Sequence, residues 1–200
     1  EKYPGAALLS IKGALASGVG SITALCPKSV ANFIWNDSPE VVINDFANSS
    51  EEGNSLFYEA LKNKDLTRFE TIVIGPGIGV DITDWEKTFE CLYDYKGTLI
   101  LDADALNRVA KSKKGSKFFL ERNFPTWITP HYREFKRLFP DLEASNRVEL
   151  SLKAAKQFNL DICLKGAKSI ISDSKGSAWQ ICDSDPFSAR AGLGDLLSGF

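Results

Sequence analysis

No C-x-x-C pair occurs in this sequence, and His131 is its only histidine. Its four cysteines, Cys26, Cys91, Cys163 and Cys182, are widely spaced, so neither a zinc site nor a disulfide framework is supported. Apolar stretches are broken by Lys, Asp or Gly well before the roughly 18 residues that a membrane-spanning helix needs, and no signal-peptide pattern opens the chain. A cytoplasmic protein that meets no membrane is the expectation. A formal net charge of −2 leaves no electrostatic footprint for nucleic acid. Internal repeats, low-complexity segments and domain linkers are also lacking. What is present, 44% apolar, 25% charged and 11% aromatic residues in 200 positions, suffices for one sizeable hydrophobic core, so a single soluble domain is expected.

Glu1 is not an initiator Met, and the helix-like run from Asp195 stops at Phe200 after about one turn, where globular helices usually run several. The expectation is therefore one domain, residues 1–200, cut at both ends. Along it, residues 6–17 read as a small-residue helix, with Leu8, Ile11 and Leu15 at helical spacing and Gly18 and Gly20 ending it. Apolar strand-like runs follow at 21–25, 41–43, 71–74, 98–101, 126–128 and 161–164. Helix patterns lie between several of them, at 51–62, 81–93, 132–139 and 147–158. Continuous apolar strands alternating with amphipathic helices are the mark of a mostly parallel sheet covered on both faces, an α/β fold. Residues 169–172 and 178–181, joined by DSKG, read as an antiparallel hairpin at one edge.

In open parallel sheets ligands bind beyond the carboxyl ends of the strands, and that is where the unusual residues lie. GPGIG (75–79) follows the run ETIVI; its glycines either let backbone approach a ligand or simply make a tight strand-to-helix turn. It is neither G-x-G-x-x-G nor a Walker A. DADALN (102–107) sets two carboxylates two residues apart. With Asp102 extended, Asp104 points the same way, and such a pair suits a magnesium ion held through water; the alternative is that Asp104 caps a helix starting near Ala105. His131, after Thr-Pro at a strand end, suits ligand contact or a surface or capping role more than acid–base chemistry. Glu134 either caps the following helix or orients a metal-bound water. Lys165 ends the run DICLK before Gly166, so its ammonium emerges on the ligand face or is simply solvated. Finally, Ala191, Gly192, Leu193 and Gly194 form a turn whose N–H groups can converge on phosphate oxygens at a helix start, with Asp195 beside them as a base or as a plain N-cap.

Taken in order, GAALLSIKGALASGVG, GPGIG, LDADALN, TPHYREF, LKGAKS and AGLGDLLSG resemble the ADP/ATP-dependent NAD(P)H-hydrate dehydratases of the ribokinase-like superfamily, over residues 5–200. The resemblance implies a ribokinase-like fold and the repair of hydrated NADH and NADPH, with a nucleotide used to expel the ring hydroxyl as phosphate. It implies that Ala6, Gly77, His131 and Asp195 contact the hydrated dinucleotide and that Asp195 is catalytic. Lys165, Gly166, Ala167, Lys168 and Ser169, with Gly194, bind the adenine nucleotide on this reading, and Gly192, Leu193 and Gly194 form an anion hole. ADP or ATP is the co-substrate, with Mg2+ near Asp102 or Glu134 through water. An epimerase for the same metabolite, fused or separate, and a homo-oligomer are the expected partners.

The chain departs from the family pattern in places. The glycine-rich strand and loop expected before Gly5 and the helices expected after Phe200 are not in the sequence. Asp185, Pro186 and Phe187 stand where Asn-Ala-Gly is usual, and Ala191-Gly192 replaces Gly-Gly, which reshapes the anion hole. Two rivals share the glycine turn: a ribokinase-like small-molecule kinase, which leaves its phosphate on the product, and a nucleotide-binding domain without turnover.

Overall fold

Short runs of branched aliphatic residues, each closed by glycine, proline or a polar residue, become the parallel strands of a central sheet. The computed structural model describes residues 5–46, 53–79, 85–183, 185 and 189–200. Strands β3 (Thr71–Ile74), β4 (Thr98–Leu101), β5 (Thr126–Ile128) and β6 (Asp161–Leu164) lie side by side and parallel, in chain order. The hairpin β7 (Ile170–Ser172) and β8 (Ala178–Gln180) adds two antiparallel strands beyond β6. The expected mixed α/β sheet, with helices on both sides and the hairpin at one edge, is thus the fold. Ile74, Leu101, Ile128 and Ile162 are in register across four strands and form one fully buried row.

Parallel neighbours need crossovers, and these are helices: α4 (Trp85–Tyr93) between β3 and β4, α5 (Ala103–Lys111) and α6 (Lys117–Glu121) before β5, α7 (Tyr132–Leu138) and α8 (Arg147–Phe158) before β6. Their apolar faces supply Phe89, Leu92, Leu106, Phe118, Phe119, Phe135 and Phe158 to the main core, where Phe89 and Phe118 stack with centroids 4.0 Å apart. The expected helix at 81–93 is described from Trp85 and that at 51–62 as α3 (Gly53–Lys62); their earlier residues lie outside the described ones.

The first part of the chain differs from expectation. Among the described residues β1 (Thr23–Pro27) and β2 (Val42–Phe46) pair only with each other, as a parallel sheet of two strands joined by α2 (Lys28–Asp37), which the sequence pattern did not announce. They enclose a small second core of Ile11, Cys26, Val30, Ala31, Ile34 and Val41. Ile11 comes from α1 (Gly5–Ser17), whose main partner is α9 (Leu193–Gly199) at the other end of the sequence. Here glycine is a packing requirement: a Cβ on Gly13 would overlap the Leu196 carbonyl oxygen, and one on Gly199 would overlap that of Ser10. The two backbones therefore touch, with Ser10 Oγ and Ser198 Oγ 3.4 Å apart.

Candidate active site

The backbone ladder runs on past the strands. Asp102 N–H donates to the Ile74 carbonyl at 3.1 Å, Thr129 N–H to Leu101 at 3.2 Å, and Lys165 N–H to Pro130 at 2.8 Å. His131 and Lys165 form a further parallel bridge. Residues 102, 129, 131 and 165 are thereby fixed relative to one another beyond the carboxyl ends of adjacent strands, where ligands of such sheets bind.

Asp102 is 1% exposed, and an unpaired carboxylate there would be costly. Lys165 Nζ, 2.7 Å from its Oδ1, supplies the partner. The ammonium, for which emergence on the ligand face and simple solvation are the two sequence readings, is tied down by a residue 63 positions away in sequence. It also stands against the α9 corner, because a Cβ on Gly194 would lie 3.3 Å from Nζ. Among the described residues, Asp102 Oδ2 and the hydroxyl of buried Thr129 have no hydrogen-bond partner.

At that corner Gly192, with φ of 86°, is the N-cap of α9. Asp195 is the third residue of the helix, so its alternative as a plain N-cap is not realised. Burial, and then the charge of Asp102, push its carboxyl above the ordinary range; Lys165 acts in the opposite sense, and Asp104 adds to the rise.

Asp104 and Asp102 do not form the parallel-pointing pair expected of a strand. The helix α5 already begins at Ala103, whose φ of 47° is unusual for a residue with a side chain and turns the chain sharply after Asp102. Nor is Asp104 the N-cap; Asp102 holds that position, without a capping side-chain bond. The Asp104 carboxylate instead accepts the Gly79 N–H at 2.9 Å. One helical turn later, Arg108 donates from Nε to the Gly79 carbonyl at 2.7 Å and from Nη2 to that of Ile78 at 2.6 Å, with its guanidinium carbon 5.2 Å from the centre of the Trp85 ring. This pair grips both polar groups of Gly79. No sequence motif marks Arg108; its spacing of four from Asp104 on one helix face was the available signal. The same turn needs Gly75 (φ 138°), where a Cβ would overlap the Asp102 carbonyl oxygen, while Gly77 has φ of 72°.

His131 takes the capping role of its two alternatives. Its Nδ1 accepts the N–H groups of Arg133 (3.1 Å) and Glu134 (3.2 Å), and Glu134 Oε2 accepts the His131 N–H at 2.9 Å. This reciprocal box starts α7. Nε2, 3.4 Å from Glu134 Oε1, lies on a side chain about half exposed, so the ring still has a face toward solvent. Burial raises the Glu134 carboxyl most, moderated by its bond from the His131 amide. Among the described residues no three His, Cys, Asp or Glu side chains are grouped for a metal. Of the two expected magnesium contacts, Glu134 has its oxygens directed at His131, and Asp102 keeps a buried oxygen unshared.

The remaining expected residues occupy two flanks. Ser169 Oγ donates to the Gly166 carbonyl at 3.1 Å and so closes the 165–169 turn, leaving Gly166, Ala167 and Lys168 exposed. Ala6 is buried in the first turn of α1. Among the described residues no hydrogen bond or ion pair joins Ala6, Ala167 or Lys168 to the group around Asp102. Leu193 is exposed at the α9 corner. Pro186 and Phe187 lie outside the described residues.

The family model for NAD(P)H-hydrate dehydratase matches residues 1–200. A bifunctional NAD(P)H-hydrate repair enzyme, Nnr, from Synechocystis sp. is 38% identical over 199 residues, covering 100% of this chain and 36% of the relative. The chain thus spans little more than a third of that relative's length. The crystal structure of an ADP/ATP-dependent NAD(P)H-hydrate dehydratase from Bacillus subtilis, co-crystallized with ATP/Mg2+ and soaked with CoA, matches with a TM-score of 0.79 at 26% identity, over 100% of this chain and 68% of that one. A ribokinase-like superfamily protein from Enterococcus faecalis shares the fold, with a TM-score of 0.77 at 22% identity, over 100% of this chain and 66% of that one.

Proposed function

Because the chain belongs to the NAD(P)H-hydrate dehydratase family, we propose that it carries out the nucleotide-dependent dehydration of hydrated NADH and NADPH, with Asp195 as the base. The observation that carries this reading is the placing of a carboxylate of raised proton affinity on a glycine-capped helix, next to a lysine locked by a buried aspartate.

A ring hydroxyl is a poor leaving group. Asp195 accepts its proton as the oxygen attacks the terminal phosphoryl group of ADP or ATP; the phosphorus–oxygen bond to the nucleotide breaks, and the hydroxyl becomes a phosphate ester. The lone pair on the ring nitrogen then expels phosphate, and loss of a proton from the neighbouring ring carbon restores the dihydropyridine. In such transfers the protein mainly positions groups and offsets charge. Lys165 and the N–H groups of Gly192, Leu193 and Gly194 face the phosphoryl group, the turn at 165–169 holds the rest of the nucleotide, and Ala6, Gly77 and His131 line the side of the dinucleotide. The buried, unshared oxygen of Asp102 fits a magnesium ion held through water, which when bound would neutralise phosphate charge. The whole protein works on this reading in the cytoplasm as a homo-oligomer, beside an epimerase for the same metabolite.

The test is to incubate the whole protein with hydrated NADH, magnesium and ADP or ATP. The near-ultraviolet absorbance of NADH should return with release of phosphate in equal amount. A stable phosphorylated alcohol accumulating while hydrated NADH goes unused would establish a small-molecule kinase instead.

A further inference from the structure

Arg147 is the first residue of α8, where a cation faces the positive end of the helix dipole and is disfavoured. The helix does not need it. Asn146 caps α8 by accepting the Glu149 N–H at 2.9 Å, Glu149 accepts the Ser145 N–H at 3.1 Å, and Leu150, Ala154 and Phe158 carry the buried face. The guanidinium carbon instead lies 4.4 Å from the centre of the Tyr132 ring, next in sequence to His131. Among the described residues it donates no hydrogen bond and forms no ion pair. A stacked guanidinium is held by its face and keeps its in-plane N–H donors for something else.

Those donors border Gly166. A Cβ there would stand 3.9 Å from Arg147 Nη1 and 3.8 Å from the Lys168 carbonyl oxygen, both ordinary contacts, and the φ of Gly166 is not among the positive ones. The fold would therefore accept a side chain at 166. Glycine there leaves open a gap between the backbone and a planar, uncommitted cation.

We infer that Arg147, steadied by Tyr132 against Gly166, is a phosphate-binding residue for the adenine nucleotide. The inference rests on the reading that places the nucleotide on residues 165–169, and adds a charged contact from a different helix. Lys165 is committed to Asp102 and the α9 corner, so it serves the transferring end. Arg147 stands on the other flank of Gly166, where it reaches a phosphate that stays on the nucleotide.

The test is calorimetric titration of the whole protein, with magnesium, by ATP, ADP and adenosine. Arg147→Gln should weaken ATP and ADP by at least about tenfold, the worth of one charge-assisted hydrogen bond, leave adenosine unchanged, and reduce the salt dependence of ADP binding. Tyr132→Ala should give a similar loss, and the double variant little more. In turnover the KM for nucleotide should rise while kcat holds. Melting of Arg147→Gln at or above the wild-type temperature would separate this from a folding defect. Undiminished ADP binding by Arg147→Gln would overturn the assignment of Arg147 alone, and equal weakening of adenosine would overturn the phosphate contact. A wild-type protein that binds neither ADP nor ATP would overturn the underlying reading as well.

Discussion

A carboxylate that must accept a proton works better when its affinity for protons exceeds that of a solvated one, and the surroundings of Asp195 raise it by burial and by the neighbouring Asp102 and Asp104. Asp195→Asn should lower turnover at least ~10²-fold, the size of a general-base contribution, with nucleotide binding retained. Because the folded-state pKa lies above the unfolded one, the ionised side chain subtracts stability once the pH rises through the folded value. The same variant should therefore melt at or above the wild-type temperature at pH 7. The acid limb of kcat/KM should move to lower pH in Asp102→Asn, which removes a negative neighbour; an unmoved limb would exclude Asp195 as the group titrating. Lys165→Ala should weaken nucleotide binding and, by stranding the buried Asp102, destabilise by about 1–3 kcal/mol, part of which Asp102→Asn restores in the double variant. The glycine spacing before Asp195 marked that residue in the sequence because a backbone turn and a helix start are local events. The Lys165–Asp102 pair could not be read there, since two strand ends create it. For His131 the sequence leaves ligand contact and a surface or capping role open together, and only the folded chain shows its Nδ1 and amide N–H starting α7.

The helix α5 illustrates how an element joins two parts of a site. Asp104 and Arg108, one turn apart, hold the turn at 75–79 from both sides, while the charge of Asp104 is also felt by Asp195. Asp104→Ala should raise the KM for hydrated NADH several-fold more than that for ADP, with Asp104→Asn intermediate; parallel changes in both would show a general structural loss. Strands β3 to β6 were legible to the residue because each is a short apolar run with polar or glycine ends, a pattern that depends on nothing distant. The helices α2 and α6 were not. The first starts after Pro27 without a side-chain cap bond, and the second has only five residues. For α5 the sequence points to a start near Ala105, two residues late, because the left-handed turn at Ala103 is not one that an alanine announces. That β1 and β2, among the described residues, pair with each other and not with the main sheet depends on partner choice, which no local pattern encodes.

At the scale of the molecule the described residues form two apolar clusters of unequal size. Amide exchange should be slower in β4, β5 and β6 than in β1, α2 and β2, since a small core protects less against local opening; equal protection would mean that the two unfold as one. Gly199→Ala would set a methyl group against the Ser10 carbonyl, and backbone cannot step aside as a side chain can. It should lower stability by about 1–3 kcal/mol and reduce turnover more than nucleotide binding, as thermal unfolding and titration would show. Beside that contact the hydroxyls of Ser10 and Ser198, 188 positions apart in sequence, also meet. During synthesis on the ribosome α1 precedes the strands and remains without this partner until β1 to β8 have all been made. The strands and the 165–169 turn are complete before the helix bearing Asp195 can dock. On the proposed assignments a nascent chain acquires its hold on the nucleotide before it acquires the means to consume it.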